Sequence, residues 1–417
     1  MTTTYIRRND GRRPPNGYGR SVSRGNKIYG SRSSSGNRPS GNRPSRPRRN
    51  YQEINVDLKK LINKAQPTED VSFTPVHAFT DFPIDTDLTD NVTQKGYVLP
   101  TPIQDQAIPI VLEGKDIVGI ANTGTGKTAA FLIPLINKVL KKNSEHVLIM
   151  TPTRELALQI EQEFYGFAKR LNIHAVSCVG GAGIEPQIRV LRRKPNFVIG
   201  TPGRLKDLID RGELDLSKFS TVVLDEADRM LDMGFIDDMR QIIGLMPKKR
   251  HTLFFSATLS KEIAKLIGEF LTDPVHVSVK TRDTAHTIDQ DVVRIEQGRK
   301  FEQLVELLKE PAFDKVLVFG RTKHGVERLA QDLKRAGIEA ESIHGDKTHG
   351  RRQKALGFFK QDKVDVLVAT DVAARGLDIS NVSHVINYDL PATYEDYTHR
   401  IGRTGRAGKT GRALTFI

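Results

Sequence analysis

From Phe79 onward, runs of four to six apolar residues alternate with longer stretches in which apolar positions recur every three or four residues. DIVGI, HVLIM, FVIG, TVVL and HTLFF form one set of runs, and KVLVFG, EAESI, VDVLVAT and HVINY form a second. Runs this short and this rich in Val, Ile and Leu read as strands buried on both faces, with helices between them. Such βα alternation predicts parallel sheets covered by helices, with ligands held at the carboxyl ends of the strands. The polar stretch KTRDTAHTIDQD separates the two sets. The pattern therefore predicts two α/β domains, over 79–280 and 296–417, with a linker at 281–295 and a cleft between them.

Upstream of Phe79 the pattern changes. Ile54, Leu58, Leu61, Ile62 and Ala65 recur at helical spacing in EINVDLKKLINKA. This predicts an amphipathic helix within residues 51–78, packed on the body of the protein or offering a face to a partner. Residues 1–50 are Arg, Gly, Ser, Asn and Pro with few large apolar groups, and GNRPS occurs in tandem at Gly36 and Gly41. Such a tail cannot bury enough surface to offset its ordering entropy, so disorder is expected. Charge sharpens this picture: of the net +14, +12 sits in residues 1–50, which leaves +2 for the rest. The tail is then either a tether that attracts phosphates or a solubilising segment. A single cysteine, Cys178, excludes an intrachain disulfide and a cysteine-based zinc cluster. MTTTYIRRNDGRRPP lacks the apolar core of a signal peptide, and no apolar run approaches the ~20 residues that span a bilayer. The expectation is a soluble cytoplasmic protein.

Candidate chemistry begins in GKDIVGIANTGTGKTAAFLIPLI, which reads as strand, glycine-rich turn and helix. Ala121, Asn122, Thr123, Gly124, Thr125 and Gly126 form a turn whose backbone N–H groups face an anion, and the following helix adds its positive end. Lys127 would reach the β and γ phosphates of a nucleotide, and the hydroxyl of Thr128 would ligate magnesium. The pattern G-x-x-x-x-G-K-[ST] has Ala121 at its first position, where a small residue still suits the turn. A nucleotide-binding loop follows from this spacing, without saying what hydrolysis drives.

TVVLDEAD adds a buried strand ending in adjacent acids. From Phe79 to its end, the chain resembles the DEAD-box RNA helicases, superfamily 2 enzymes. The resemblance is carried by GYVLPTPIQ, ANTGTGKT, PTRELA, a GG pair, TPGR, DEAD, SAT, VFGRTK, TDVAARGLD and HRIGRTGRAG, in that order. It implies two tandem RecA-like domains, ATP and Mg2+ as cofactors, and RNA as partner. It further implies that Gln104 reads adenine and that Phe79 stacks on the same base. Asp225 would hold the metal through water, and Glu226 would orient and deprotonate the attacking water. Asp228 would contact Ser256 and Thr258, linking the nucleotide to domain closure. Arg403 and Arg406 match arginine fingers reaching from the second domain, with His399 and Arg400 also at the interface, and Asp378 matches a ribose contact.

The resemblance also places a strip of RNA contacts. In the first domain it includes Pro152, Thr153, Arg154, Gly180, Gly181, Thr201, Pro202, Gly203 and Arg204. In the second it includes Arg321, Thr322, Arg352, Thr370 and Arg375. Helix N-termini and backbone N–H groups grip phosphates without reading bases, and contact with 2′-hydroxyls separates RNA from DNA. Pro, Gly and Thr are also common helix starters, so position gives these segments their weight. His349 stands where the family usually has Gln, and only Arg352 of that segment is carried over. The chain ends at GRALTFI, where the family continues into a closing helix, so a short member or a truncated chain is expected. The expected activity is ATP-driven local unwinding of short RNA duplexes, or remodelling of RNA–protein complexes, by a monomer. A DNA-directed relative and a noncatalytic RNA clamp are the rivals, and the complete set of catalytic residues argues against the clamp.

Overall fold

Parallel strands cannot be joined by a tight turn, so each strand here is followed by a crossover that returns the chain to the same end of the sheet. The computed structural model describes residues 61–64, 73–122, 124–279, 288–374, 382–405 and 411–417. Among them, the first sheet contains β1 (Ile117–Ile120), β2 (Val147–Met150), β3 (Ala175–Cys178), β4 (Phe197–Gly200), β5 (Thr221–Leu224), β6 (His251–Ser256) and β7 (Val275–Ser278). Their order is β3-β4-β2-β5-β6-β1-β7. The second contains β8 (Ile288–Val293), β9 (Val316–Phe319), β10 (Ala340–Ile343), β11 (Val366–Ala369), β12 (His384–Asn387) and β13 (Gly411–Phe416), in the order β10-β11-β9-β12-β13-β8. Every pairing between these strands is parallel. This is the two-domain α/β architecture expected from the alternating pattern.

Alternation along each strand fills two cores per sheet. Val147 and Ile149 join Phe131, Phe164 and Phe255 on one face of the first sheet, while Leu148 and Met150 join Leu205, Met230 and Phe254 on the other. In the second sheet Leu317 and Phe319 face one cluster, and Val316 and Val318 the other. With all strands parallel, the phosphate loop after β1, the acids after β5 and Ser256 at the end of β6 share the carboxyl edge of the first sheet. PTRELA after β2, the glycine pair after β3 and TPGR after β4 share that edge too.

Three differences from the expected organisation have local causes. Four strands, β3, β7, β8 and β13, are not among the runs expected above. β7 is half exposed at a sheet edge, and β8 carries Asp289 and Asp291 on an edge strand, so neither reads as a continuous apolar run. The second half of the expected linker 281–295 is thus largely β8. Residues 62–64 are not helical: Asn63 bridges Gln290 of β8 in antiparallel fashion. Leu61, expected on a helix face, is completely buried in a core of the second sheet. The tail 1–50, the rest of the expected helix up to residue 60, and residues 281–287 lie outside the described residues.

Gly200 illustrates how tightly the carboxyl edge is packed. A Cβ there would stand 2.7 Å from the Cys178 carbonyl oxygen and 2.8 Å from Leu205 Cδ2. Gly200→Ala is expected to cost about 1–3 kcal/mol through overpacking. Gly268→Ala, in the helix Lys261–Phe270 with nothing within 4 Å of its Cβ position, should gain roughly 0.5–1 kcal/mol. Urea unfolding of the two variants checks the contrast in sign.

Candidate functional site

The turn after β1 is closed by a glutamine. Gly126 has φ +95°, and a Cβ on it would lie 2.3 Å from Gln104 Nε2, so only glycine admits the approach. Gln104 Nε2 donates to the Gly126 carbonyl at 3.1 Å, and its Oε1 accepts from the Thr101 N–H at 2.9 Å. The Thr101 hydroxyl donates to the Thr125 carbonyl at 2.8 Å, and that of Thr125 to the Asn122 carbonyl at 2.8 Å. A side-chain amide has two donors and two lone pairs, so Gln104 keeps one of each for a ligand. Gly124 also has positive φ, +86°. Lys127, which begins the helix Lys127–Lys141, folds its Nζ back on the Ala121 carbonyl at 2.7 Å and that of Asn122 at 3.3 Å. Ala121 donates its N–H to the Ser256 carbonyl at 3.0 Å, tying the turn to SAT. Phe79 is 2% exposed and packs edge-on against Tyr97 and Phe82, in a core of the first domain.

The acids after β5 lie in different fields. Asp225 is buried, and its carboxyl is pushed up to about 7 by burial, with Glu226 and Asp228 adding to the rise and Lys127 opposing it. Burial also drives Glu226 upward, but Arg229, Lys127 and Arg403 together outweigh it and hold that carboxyl below its ordinary value. Arg229 Nη1 is paired directly with Glu226 Oε2. Glu226 has φ +54°, a left-handed conformation that costs a non-glycine residue roughly 1–3 kcal/mol and concentrates at functional sites. The turn puts Glu226 at the start of the helix Ala227–Asp232. From that helix Asp228 Oδ2 accepts from the N–H groups of Ala257 at 2.9 Å and Thr258 at 3.0 Å, and from the Thr258 hydroxyl at 3.3 Å. Ser256 Oγ completes the turn by donating to the Thr258 carbonyl at 2.8 Å.

The second domain supplies the facing wall. Lys127, Glu226, Asp228, Arg229, Asp232 and Ala257 of the first domain line a space of about 20 Å³ with His399 and Arg403 of the second. Arg400 is a correction to the expected interface set. It is 2% exposed and turned into its own domain, with Nε and Nη2 on the Asp371 carboxylate at 2.5 and 2.8 Å. Its Nη1 donates to the Asp389 carbonyl at 2.6 Å and Asn387 Oδ1 at 3.2 Å. A buried guanidinium is stable only when satisfied in this way, and Arg400 thereby locks the helix Tyr394–Ile401 that leads to Arg403. Thr123, Arg375, Asp378 and Arg406 lie outside the described residues.

The expected RNA strip divides in two. Thr153, Thr201 and Thr322 are the N-cap residues of the helices Arg154–Phe167, Pro202–Asp210 and Lys323–Arg335, and Pro152 is buried beside the first. Thr153 and Thr322 accept from the N–H groups of Leu156 and Gly325. Gly203 has open space at its Cβ position, whereas a Cβ on Gly181 would strike Arg154 Nη1. Gly180 and Gly181 therefore seat the Arg154 guanidinium. Arg204 braces the same loop through Gln187 Oε1 at 3.0 Å and the Ala182 carbonyl at 3.2 Å. Arg321 donates its N–H to Asp389 Oδ2 at 2.9 Å, and Thr370 donates to the Ile343 carbonyl at 3.3 Å. Arg352 is held across the cleft, its Nη2 2.9 Å from Glu155 Oε1. His349 shares this junction: burial and the nearby Arg154 and Arg352 hold its imidazole below the ordinary value, against Glu155.

A model of the DEAD/DEAH box helicases matches residues 101–266, and one of the helicase conserved C-terminal domain matches residues 299–408. The DEAD-box ATP-dependent RNA helicase CshA of Bacillus subtilis is 47% identical over 341 residues, covering 81% of this chain and 69% of that protein. The chain belongs to the DEAD-box helicase family. Among solved structures of similar fold, Saccharomyces cerevisiae Dbp5 bound to RNA and ADP BeF3 is 29% identical with a TM-score of 0.72, covering 82% of this chain and 89% of that one. Mss116p bound to ssRNA and AMP-PNP is 32% identical with a TM-score of 0.74, covering 84% of this chain and 76% of that one.

Within the family framework, reading the sequence passed over the partners: Arg229 for Glu226, Glu155 for Arg352 and Asp371 for Arg400. Arg229 stands three residues after Glu226 at helical spacing, a signal that was present. Glu155 and Asp371 meet their arginines only through the fold. Asp371→Ala would strand the Arg400 guanidinium in the second domain's interior. The expected loss is roughly 3 kcal/mol or more, read as a lower urea midpoint, and an unchanged midpoint would contradict the buried pair.

Proposed function

We propose that this helicase binds ATP and single-stranded RNA across the cleft and uses ATP binding and hydrolysis to separate short RNA duplexes or remodel RNA–protein complexes. The observation that carries the reading is the joint lining of one space by Lys127 and Glu226 of the first domain and Arg403 of the second. Phosphoryl transfer needs little covalent chemistry from a protein; it needs positioned charge. Lys127 would exchange its carbonyl partners for phosphate oxygens. Glu226, kept ionised by its cations, would accept the proton of the attacking water. Arg403, with Arg406 beside it in sequence, would meet charge developing on the transferred phosphoryl group. Thr128 and Asp225 suit Mg2+, which commonly takes one or two carboxylates and completes its shell with phosphates and water. A buried carboxyl raised to about 7 is one that a bound cation would return to its charged form. The bound ion would supply charge neutralisation on the phosphates.

RNA would lie along the carboxyl edges, gripped at the N-capped helix starts of both domains, with Arg154, Arg204, Arg321 and Arg352 near its phosphates. Because Arg352 pairs with Glu155, RNA contact and domain closure would share one side chain. Gln104 keeps a donor and an acceptor for adenine. No helix among the described residues is long and apolar enough to cross a membrane. Cys178, the sole cysteine, is buried and suits a reducing compartment, and we place a monomer in the cytoplasm.

Lys127→Ala should abolish ATP turnover. Glu226→Gln should keep ATP and RNA binding while lowering turnover by roughly 10²–10⁴, and Arg403→Ala by about 10³ or more. Wild-type turnover in the Glu226 variant would sink the assignment. ATPase stimulation by RNA and by DNA of the same sequence decides the substrate, and equal stimulation would remove the RNA claim.

A further inference from the structure

Residues 61–64 precede the first domain in sequence yet are docked on the second. Asn63 and Gln290 exchange both backbone hydrogen bonds, Asn63 N–H to the Gln290 carbonyl at 3.1 Å and Gln290 N–H to the Asn63 carbonyl at 2.8 Å. Gln290 lies on β8, the outer strand of its sheet, so this short segment covers part of an otherwise open edge. Leu61 is fully buried in the same core as Ile288, Phe319, Tyr397 and Ile401. The Tyr397 hydroxyl stands 3.0 Å from Gln290 Oε1 and 3.4 Å from the Leu61 carbonyl oxygen.

Tyr397 and Ile401 belong to the helix Tyr394–Ile401, which also carries His399 and ends two residues before Arg403. One face of that helix is therefore packed against a segment from the far end of the chain. A few residues on, Val76 and His77 donate their N–H groups to Asp105 at 2.9 and 3.1 Å, and His77 Nδ1 lies 2.7 Å from the same carboxylate. Asp105 follows Gln104 on the helix Pro102–Leu112. The chain is thus fastened at Asn63 beside the arginine-bearing helix and at Val76 beside the glutamine of the nucleotide loop.

We propose that residues 61–64 are a positioning element for ATP hydrolysis: an added edge strand that buttresses the helix leading to Arg403. Leu61 and Asn63 act through Tyr397 and Gln290, without touching the nucleotide. The inference rests on the assignment of Arg403 to the transferred phosphoryl group. It concerns orientation of that arginine and leaves the nucleotide loop's own contacts intact.

The test compares ATP turnover at saturating RNA in the full chain and in four variants. Asn63→Pro removes the N–H that bonds Gln290, and Leu61→Ala empties the core position. Ile62→Ser, at an exposed side chain, is the control. Both Asn63→Pro and Leu61→Ala should lower kcat by about ten- to a hundredfold, as small misplacements do, with KM for ATP changed less than about twofold. Far-UV circular dichroism at the assay temperature shows whether each variant is folded. If Leu61→Ala is not, Asn63→Pro, which leaves the core intact, decides alone, and its own loss of folding would assign the segment to stability and overturn the proposal. A folded Asn63→Pro protein with wild-type kcat overturns it as well, provided Arg403→Ala, the fourth variant, is inactive. Should Arg403→Ala hydrolyse ATP normally, the underlying assignment of the arginine fails instead.

Discussion

A carboxyl group buried as Glu226 is would ordinarily take up a proton, since desolvation disfavours its charged form. Three cations prevent this. Arg229 comes from the same helical turn, Lys127 from the phosphate loop and Arg403 from the other domain. The lowered pKa of Glu226 thus draws on both walls of the cleft. Two of these cations belong to the first domain, and only Arg403 reaches Glu226 from the second.

The surrounding structure keeps that environment in register. Glu226 holds a left-handed backbone conformation, and the strain is tolerated because Asp225 accepts its N–H at 3.0 Å while Arg229 grips its side chain. Asp228 binds the turn after β6, whose Ser256 carbonyl accepts from Ala121 at the mouth of the phosphate loop. The phosphate loop and the acids are thereby joined through one continuous set of hydrogen bonds. Across the cleft, Arg400 spends its whole guanidinium on Asp371, Asn387 and Asp389, which makes the helix before Arg403 a rigid carrier. The two arginines are three residues apart and do unlike work: one fixes the helix, the other faces the acids.

Much of the fold was legible because buried parallel strands are written as uninterrupted apolar runs. TVVL and VLVF could be assigned from composition alone, whereas β7 and β8, exposed at sheet edges, carry polar residues and were not. The candidate site was legible where one local segment holds the chemistry, as in ANTGTGKT and DEAD. It was misread at Arg400, because nothing in HRIGR distinguishes an arginine facing the cleft from one facing Asp371. The docking of Leu61 on a domain that begins more than 200 residues later could not be read from helical periodicity, since a lone edge pairing has no period.

The most direct test follows the distance between the domains during turnover. With Cys178 buried, fluorescent labels can be placed on cysteines introduced at exposed Lys248 and Lys309 and followed molecule by molecule. A site divided between two domains requires that the labels be close whenever ATP is hydrolysed, so that each hydrolytic event falls within a closed interval. Hydrolysis at the full RNA-stimulated rate while the labels stay far apart would show that Arg403 is not needed beside Glu226, and the divided site would have to be abandoned.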